Sequence, residues 1–296
     1  MNNSMLLKKD LKEKRELVNI EVDRFLPRKD EYPKQIHKAM RHTLFAGGKR
    51  LRPYLLLNTY LLFDDNLSDA LIAAGAIEML HSYTLIHDDL PEIDNDDMRR
   101  GKKACHVLFG TNIAMLAGDS LLVYAFESMT NMAVDDKLKL KMINELAQEA
   151  GHKGVIAGQM VDILSEGKKV SEKTLKFIHH NKTARLINLP IRFGCYLAKA
   201  SADDQSRLEE FGNKIGLAFQ IVDDILDIEG NAQTLGKSIG KDEKVNKATF
   251  PAIYGLEKSR NMAEKLVAEA KVLLKPYGEK AETLLLLCDF ILTRKF

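Results

Sequence analysis

The sequence predicts an all-α fold, a multi-helix bundle with several helices buried at its centre. Three observations carry this. Apolar residues recur at close to a 3.6-residue period through most of the chain. Only 7 prolines occur in 296 residues, with none between Pro91 and Pro190. No run alternates apolar and polar residues as a half-buried strand would.

The helical segments follow in chain order. Ala70–His87 and Gly110–Met132 are apolar enough to be wrapped on most sides. From Leu138 to Val161 the apolar positions Leu138, Met142, Leu146, Ala150 and Val155 mark one stripe. Lys173–Lys199, Gln205–Ile228 and Met262–Leu274 read the same way. Turn chemistry separates them at Ala46-Gly47-Gly48, Pro91 to Asn95, Glu166-Gly167 and Glu229-Gly230-Asn231. No Pro/Gly/Ser-rich linker divides the chain, so the expectation is one domain over residues 1–296, with helices buried around a central cavity.

Bulk composition excludes several functions. The 44 basic and 42 acidic residues leave a net charge of +2, without the basic excess of a nucleic-acid binder. The cysteines, Cys105, Cys195 and Cys288, are too few and too scattered for a disulfide framework or a zinc site. The N-terminus is charged from Lys8 onward, and the apolar stretch around Leu55–Phe63 falls short of a span. A cytoplasmic protein without membrane insertion is expected.

Two acidic clusters stand out. Asp223 and Asp227 lie four apart on one helix face, beside Asp224, amid Phe219, Ile221, Val222, Ile225 and Leu226. Acids in such apolar surroundings are rare unless paired or bound to a metal. Oxygen-only ligands suit Mg²⁺. The competing reading is an acidic helix end. In the first cluster, Asp88-Asp89-Leu90-Pro91-Glu92-Ile93-Asp94, Pro91 disfavours an unbroken helix. A bulge there would swing Asp94 back toward Asp88; Glu92, at i+4 from Asp88, is the rival ligand. Arg99 and Arg100 follow at once, so an anion gripped between metal and guanidinium forks is one reading and a surface ion network the other.

The basic partner is Gly47-Gly48-Lys49-Arg50-Leu51-Arg52-Pro53, in which loop amides with Lys49 and Arg52 suit a phosphate. It lacks Walker spacing and reads equally as a basic loop entering a helix. His81, Lys182, Thr183 and Gln220 are unremarkable singly. Lys237 draws weight from its glycine-flanked loop just after the second acidic cluster.

Taken together, GGKRLRP (Gly47–Pro53), HSYTLIHDDLPEIDNDDMRRG (His81–Gly101), LAGDSLL (Leu116–Leu122), GQMVD (Gly158–Asp162), KT (Lys182-Thr183), FQIVDDILD (Phe219–Asp227) and LGK (Leu235–Lys237) resemble the short-chain trans-prenyl diphosphate synthases, the bacterial farnesyl type above all. The likeness runs from about Lys38 to Leu256. It implies the isoprenoid synthase fold and a homodimer. It implies three Mg²⁺ ions, with Asp88, Asp94 and Asp223 as ligands and Asp89, Asp224 and Asp227 assisting. Arg99, Lys182 and Lys237 would hold an allylic diphosphate, and Gly48, Lys49, Arg52, His81 and Arg100 isopentenyl diphosphate. Thr183 and Gln220 would line the path of the allylic cation.

Ionisation of the allylic C–O bond, attack by the isopentenyl double bond and loss of a proton would make farnesyl diphosphate. Thr84 and Tyr83 lie four and five residues before Asp88, about 6 to 7.5 Å deeper on a helix. Tyr83 would be the floor that stops growth at fifteen carbons. A geranylgeranyl or longer-chain synthase, a terpene cyclase and a non-catalytic helical subunit are the alternatives. Lys103-Ala104 and Ala184-Arg185 depart from the family pattern, and Arg185 raises a question about the pocket wall.

Overall fold

The computed structural model describes residues 3–168, 170–229 and 249–293. Helices account for most of them, as the periodicity predicts. In order they are α1 (Asn3–Phe25), α2 (Lys34–Leu44), α3 (Leu51–Tyr60), α4 (Ser68–Asp88), α5 (Cys105–Phe109), α6 (Thr111–Met129), α7 (Asp136–Ala150), α8 (Val155–Ser165), α9 (Glu172–His179), α10 (Arg185–Leu197) and α11 (Ala202–Glu229). Then follow α12 (Phe250–Tyr254), α13 (Leu256–Leu274), a 3₁₀ segment (Lys275–Ala281) and α14 (Glu282–Thr293).

Two apolar clusters form the interior. One joins α4 and α6 with residues of α2 and α7; the other joins α11, α13 and α14. The helices α3 and α10 separate the clusters and serve both. Leu56, Leu57, Leu186, Leu189 and Phe193 face the first; Tyr54, Leu55, Ile187, Ile191 and Cys195 face the second. A helix that is apolar all round is buried all round, so these segments occupy the centre. The long N-terminal helix is tied in by Tyr54, whose hydroxyl donates to Asp10 at 2.6 Å. Among the described residues, no helix is long and apolar enough to cross a membrane.

The structure corrects three boundaries. The stripe from Leu138 to Val161 belongs to two helices, because α7 stops at Gly151 and α8 restarts at Val155. The stripe keeps its period because the intervening turn, too, is wound by 5→1-type and shorter backbone bonds, Gly151 N to Ala147 O and Gly154 N to Gly151 O. The segment Lys173–Lys199 is interrupted by a π turn at His180–Ala184. A two-residue antiparallel ladder, Met98–Arg99 with Lys102–Lys103, adds a strand pair that no alternation announces.

Candidate active site

The sequence turns α4 from helix to loop at Asp89, and the turn does what the bulge at Pro91 predicts. The backbone N–H of Asp94 donates to the carbonyl of Asp88 at 2.9 Å, and Asp96 N–H reaches Asp89 O at 3.2 Å. Asn95 takes up the tightness with a left-handed φ of 49°. Asp94 therefore returns to Asp88 and lines the same cavity, whereas Glu92 is exposed outside it. Burial pushes the Asp88 carboxyl up to about 6; the Lys182 cation opposes this, and Asp94 adds to it.

The cavity has a volume of about 530 Å³. Its acidic walls are Asp88 and Asp94 from the end of α4, and Asp223, Asp224 and Asp227 from the end of α11. Its basic wall is Gly48, Lys49, Arg50 and Arg52 with His81 beneath them. Arg99, Arg100, Thr84, Lys182, Thr183 and Gln220 complete the set of predicted residues that meet there. Lys237 lies outside the described residues.

Two predicted residues do not line it. Asp89 is 2% exposed and turns to Arg99, whose Nε donates to its Oδ1 at 2.8 Å. Asp96 receives Arg99 Nη2 at 3.1 Å. Asp89 thus assists by fixing Arg99 rather than by facing a ligand. Tyr83 is buried in the core, its ring edge-on to His87 with centroids 5.5 Å apart.

Asp224 is also held by the protein. Gln220 Nε2 donates to Oδ1 at 3.0 Å, and the backbone N–H of Phe250 donates to Oδ2 at 2.9 Å. It joins the end of α11 to the start of α12, and it lines the cavity together with Asp223 and Asp227.

The consecutive arginines part company. Arg100 sits at φ 53°, in the hairpin turn, so its side chain leaves Arg99 and crosses to the glycine loop. Its Nη1 donates to Gly47 O at 2.9 Å. A Cβ at Gly48 would stand 2.6 Å from Arg100 Cζ, so only glycine lets the guanidinium lie there.

Lys182 and Thr183 are set by the π turn. One extra residue per turn rotates the chain, and both neighbours come to line the cavity. Gly158 on α8 admits this turn closely: a Cβ there would lie 2.4 Å from Lys182 N. Lys182 Nζ is held by Asp162 at 2.6 Å.

Sequence reasoning passed over Glu78 and His179 and gave Arg50, Gln159 and Asp162 no role beyond their motifs; all five also line the cavity. A signal existed for Glu78, an acid inside the apolar run of α4. The rule that singled out Asp223 applies to it equally. Arg185, in contrast, turns away from the cavity to pair with Glu149 on α7, which answers the question about the wall.

The donors suit a hard cation and a phosphate. The carboxylates facing the cavity offer only oxygen, and a divalent ion would relieve the crowded charge around Asp88. Among the described residues, no three acidic, imidazole or thiol groups close on one point. An ion there would draw part of its shell from diphosphate oxygens or water, as Mg²⁺ commonly does. On the basic wall, Arg52 Nε and His81 Nδ1 are buried donors without a protein partner. An anion entering between the walls would meet cations on one side and metal on the other.

Comparison with known proteins agrees with this chemistry. The polyprenyl synthetase family model matches residues 33–282. The chain is 40% identical to a farnesyl diphosphate synthase of Geobacillus stearothermophilus, over 96% of each chain. It is 43% identical to a geranylgeranyl diphosphate synthase of Cyanophora paradoxa, over 96% of this chain and 95% of that one. A solved FPP/GFPP synthase from Zymomonas mobilis superposes with a TM-score of 0.88 at 34% identity, covering 97% of this chain and 99% of the other.

Proposed function

The chain belongs to the polyprenyl synthetase family, and from that premise we propose that it condenses isopentenyl diphosphate with dimethylallyl and geranyl diphosphates to give farnesyl diphosphate. The observation that carries this reading is the convergence of both acidic helix ends and the GGKRLRP loop on one cavity. One wall suits an allylic diphosphate bound through metal, the other a second diphosphate bound without it.

In this reading Asp88, Asp94, Asp223 and Asp227 hold Mg²⁺, three ions in all. When bound, Mg²⁺ neutralises the departing diphosphate and so favours ionisation of the allylic ester. Lys182, with Asp162 behind it, and Arg99, with Asp89 behind it, direct their charge at the same leaving group. Lys237 joins them in the proposal, although it lies outside the described residues. Lys49, Arg52, His81 and Arg100 hold isopentenyl diphosphate so that its double bond faces the cation. Thr183 and Gln220 present oxygen atoms beside the cation's path. The apolar lining from Leu85, Val155, Leu186 and Phe219 keeps water away from it.

Fifteen carbons are proposed because Tyr83, next in sequence to the cavity-lining Thr84, would block a chain that grew along α4 past that residue. The likeness to a geranylgeranyl synthase favours a twenty-carbon product as the second reading. We also propose a single domain, a cytoplasmic location and a homodimer, the last resting on exposed Met115, Leu116 and Val123 on α6.

The test is incubation of purified protein with isopentenyl and dimethylallyl diphosphates and Mg²⁺, with chromatography of the dephosphorylated products. Farnesol is expected. Geranylgeraniol would transfer the proposal to the longer product, and no product would return the chain to the non-catalytic reading. Hydrocarbon from allylic diphosphate alone would indicate a cyclase.

A further inference from the structure

We infer that Glu78 is a positioning residue for the isopentenyl diphosphate subsite, a buried carboxylate that fixes Arg100 and Arg50 beneath the glycine loop. The inference rests on the proposed function and adds a residue to it.

Glu78 lies on α4, ten residues before Asp88, with its side chain 1% exposed. Its Oε1 accepts from Arg50 Nη1 at 2.6 Å and from Arg100 Nη2 at 3.5 Å. The two arginines come from separate loops, and each needs a left-handed φ of 53° to reach it. Arg50 is wholly engaged with protein. Its Nε and Nη2 meet Asn19 Oδ1 at 3.1 and 3.0 Å, and Nη2 also donates to Leu44 O. Arg50 is therefore an anchor, and Arg100 is the ligand-facing member. Arg100 is pinned by Gly47 O on one side and Glu78 on the other, over the bare Cα of Gly48.

Two guanidiniums this close repel each other, and only a carboxylate between them makes the arrangement stable. Removing that carboxylate has two opposite effects. It raises the positive potential, which attracts any anion. It also removes the carboxylate contact that holds Arg100 Nη2, so the aligned donor geometry for one particular diphosphate is lost. The geometric effect wins here, since Arg52, Lys49 and Arg100 already supply ample charge and orientation is the scarcer property.

Steady-state kinetics on the full chain with Mg²⁺, isopentenyl diphosphate and geranyl diphosphate tests this. Glu78→Gln is expected to raise KM for isopentenyl diphosphate about tenfold, the effect of losing one oriented charge-assisted contact. KM for geranyl diphosphate and kcat should stay within about twofold of wild type, a split that a merely structural role would not give. Glu78→Gln leaves Arg50 buried without a countercharge, so it is studied beside the double variant Arg50→Gln/Glu78→Gln. The double variant should regain thermal stability while keeping the raised KM for isopentenyl diphosphate. Equal changes in both KM values, a lower KM for isopentenyl diphosphate, or recovery of that KM in the double variant would overturn the role of Glu78. Failure of the wild type to elongate geranyl diphosphate would instead overturn the proposed function.

Discussion

Arg52 Nη1 lies 3.2 Å from His81 Nε2, where the start of α3 crosses α4. A guanidinium only donates, so Nε2 accepts and the imidazole is neutral. Burial holds His81 well below its ordinary value of 6.5, with the charges of Arg52 and Arg100 adding to the effect. In the unfolded chain the same ring takes up a proton as pH falls through about 6.5. The unfolded state then binds more protons, so stability falls with pH, by up to about 1.4 kcal/mol per unit.

His81→Gln keeps an acceptor for Arg52 and removes the titration. Between about pH 7.5 and 5.5 the variant should lose less melting temperature than wild type. Parallel thermal scans without diphosphate measure this. Parallel slopes would show that His81 does not titrate in the unfolding equilibrium.

The backbone bond from Asp94 to Asp88 brings Asp94, and not Glu92, to the cavity, which supports Asp94 as the proposed ligand. Asp94→Ala should lower kcat about 10²- to 10³-fold, the usual scale for a group that stabilises developing charge. Glu92→Ala, on the exposed side of the turn, should change kcat less than about twofold. Steady-state assays of both variants give the comparison, and a large effect at Glu92 would reverse the assignment.

Much of this was legible beforehand, and what was not has identifiable causes. The helices followed from apolar period, because burial on one stripe or all round leaves that mark in sequence. The return of Asp94 followed from Pro91, since proline acts locally. The π turn at His180–Ala184 did not, because its extra residue leaves the apolar pattern of Lys173–Lys199 nearly intact. The protein partners of Asp89 and Asp224, expected only to assist the metal, are not legible in the sequence. Those partners, Arg99 and the Phe250 N–H, are ten and twenty-six residues away, too far along the chain for local pattern to announce them.

Glu149 is 4% exposed and holds two arginines of α10, Arg185 and Arg192, the latter through Nη2 at 2.7 Å. Arg192 also reaches Glu145 at 3.2 Å. Glu149→Ala leaves these cations partly buried with reduced partners. The partial exposure of both arginines places the loss near the lower end of about 3–5 kcal/mol. Denaturant melts should show that loss, while product length stays as in wild type. A longer or shorter product would mean that Arg185 shapes the cavity after all.

The chain-length proposal turns on Tyr83, 5% exposed and packed edge-on against His87. It stands one residue below Thr84, which lines the cavity, and burial pushes its phenol up to about 12, so it stays uncharged. Tyr83→Ala removes the ring and opens space in line with the cavity along α4. That truncation costs stability, about 3–5 kcal/mol for a buried aromatic, so assays belong well below the variant's melting temperature. If the ring stops growth, twenty-carbon product should appear at the expense of the fifteen-carbon one. Tyr83→Phe keeps the ring and should leave the distribution unchanged, separating bulk from the hydroxyl. Fifteen-carbon product alone from the alanine variant would move the floor elsewhere, and twenty-carbon product from the wild type would remove the need for one at this position.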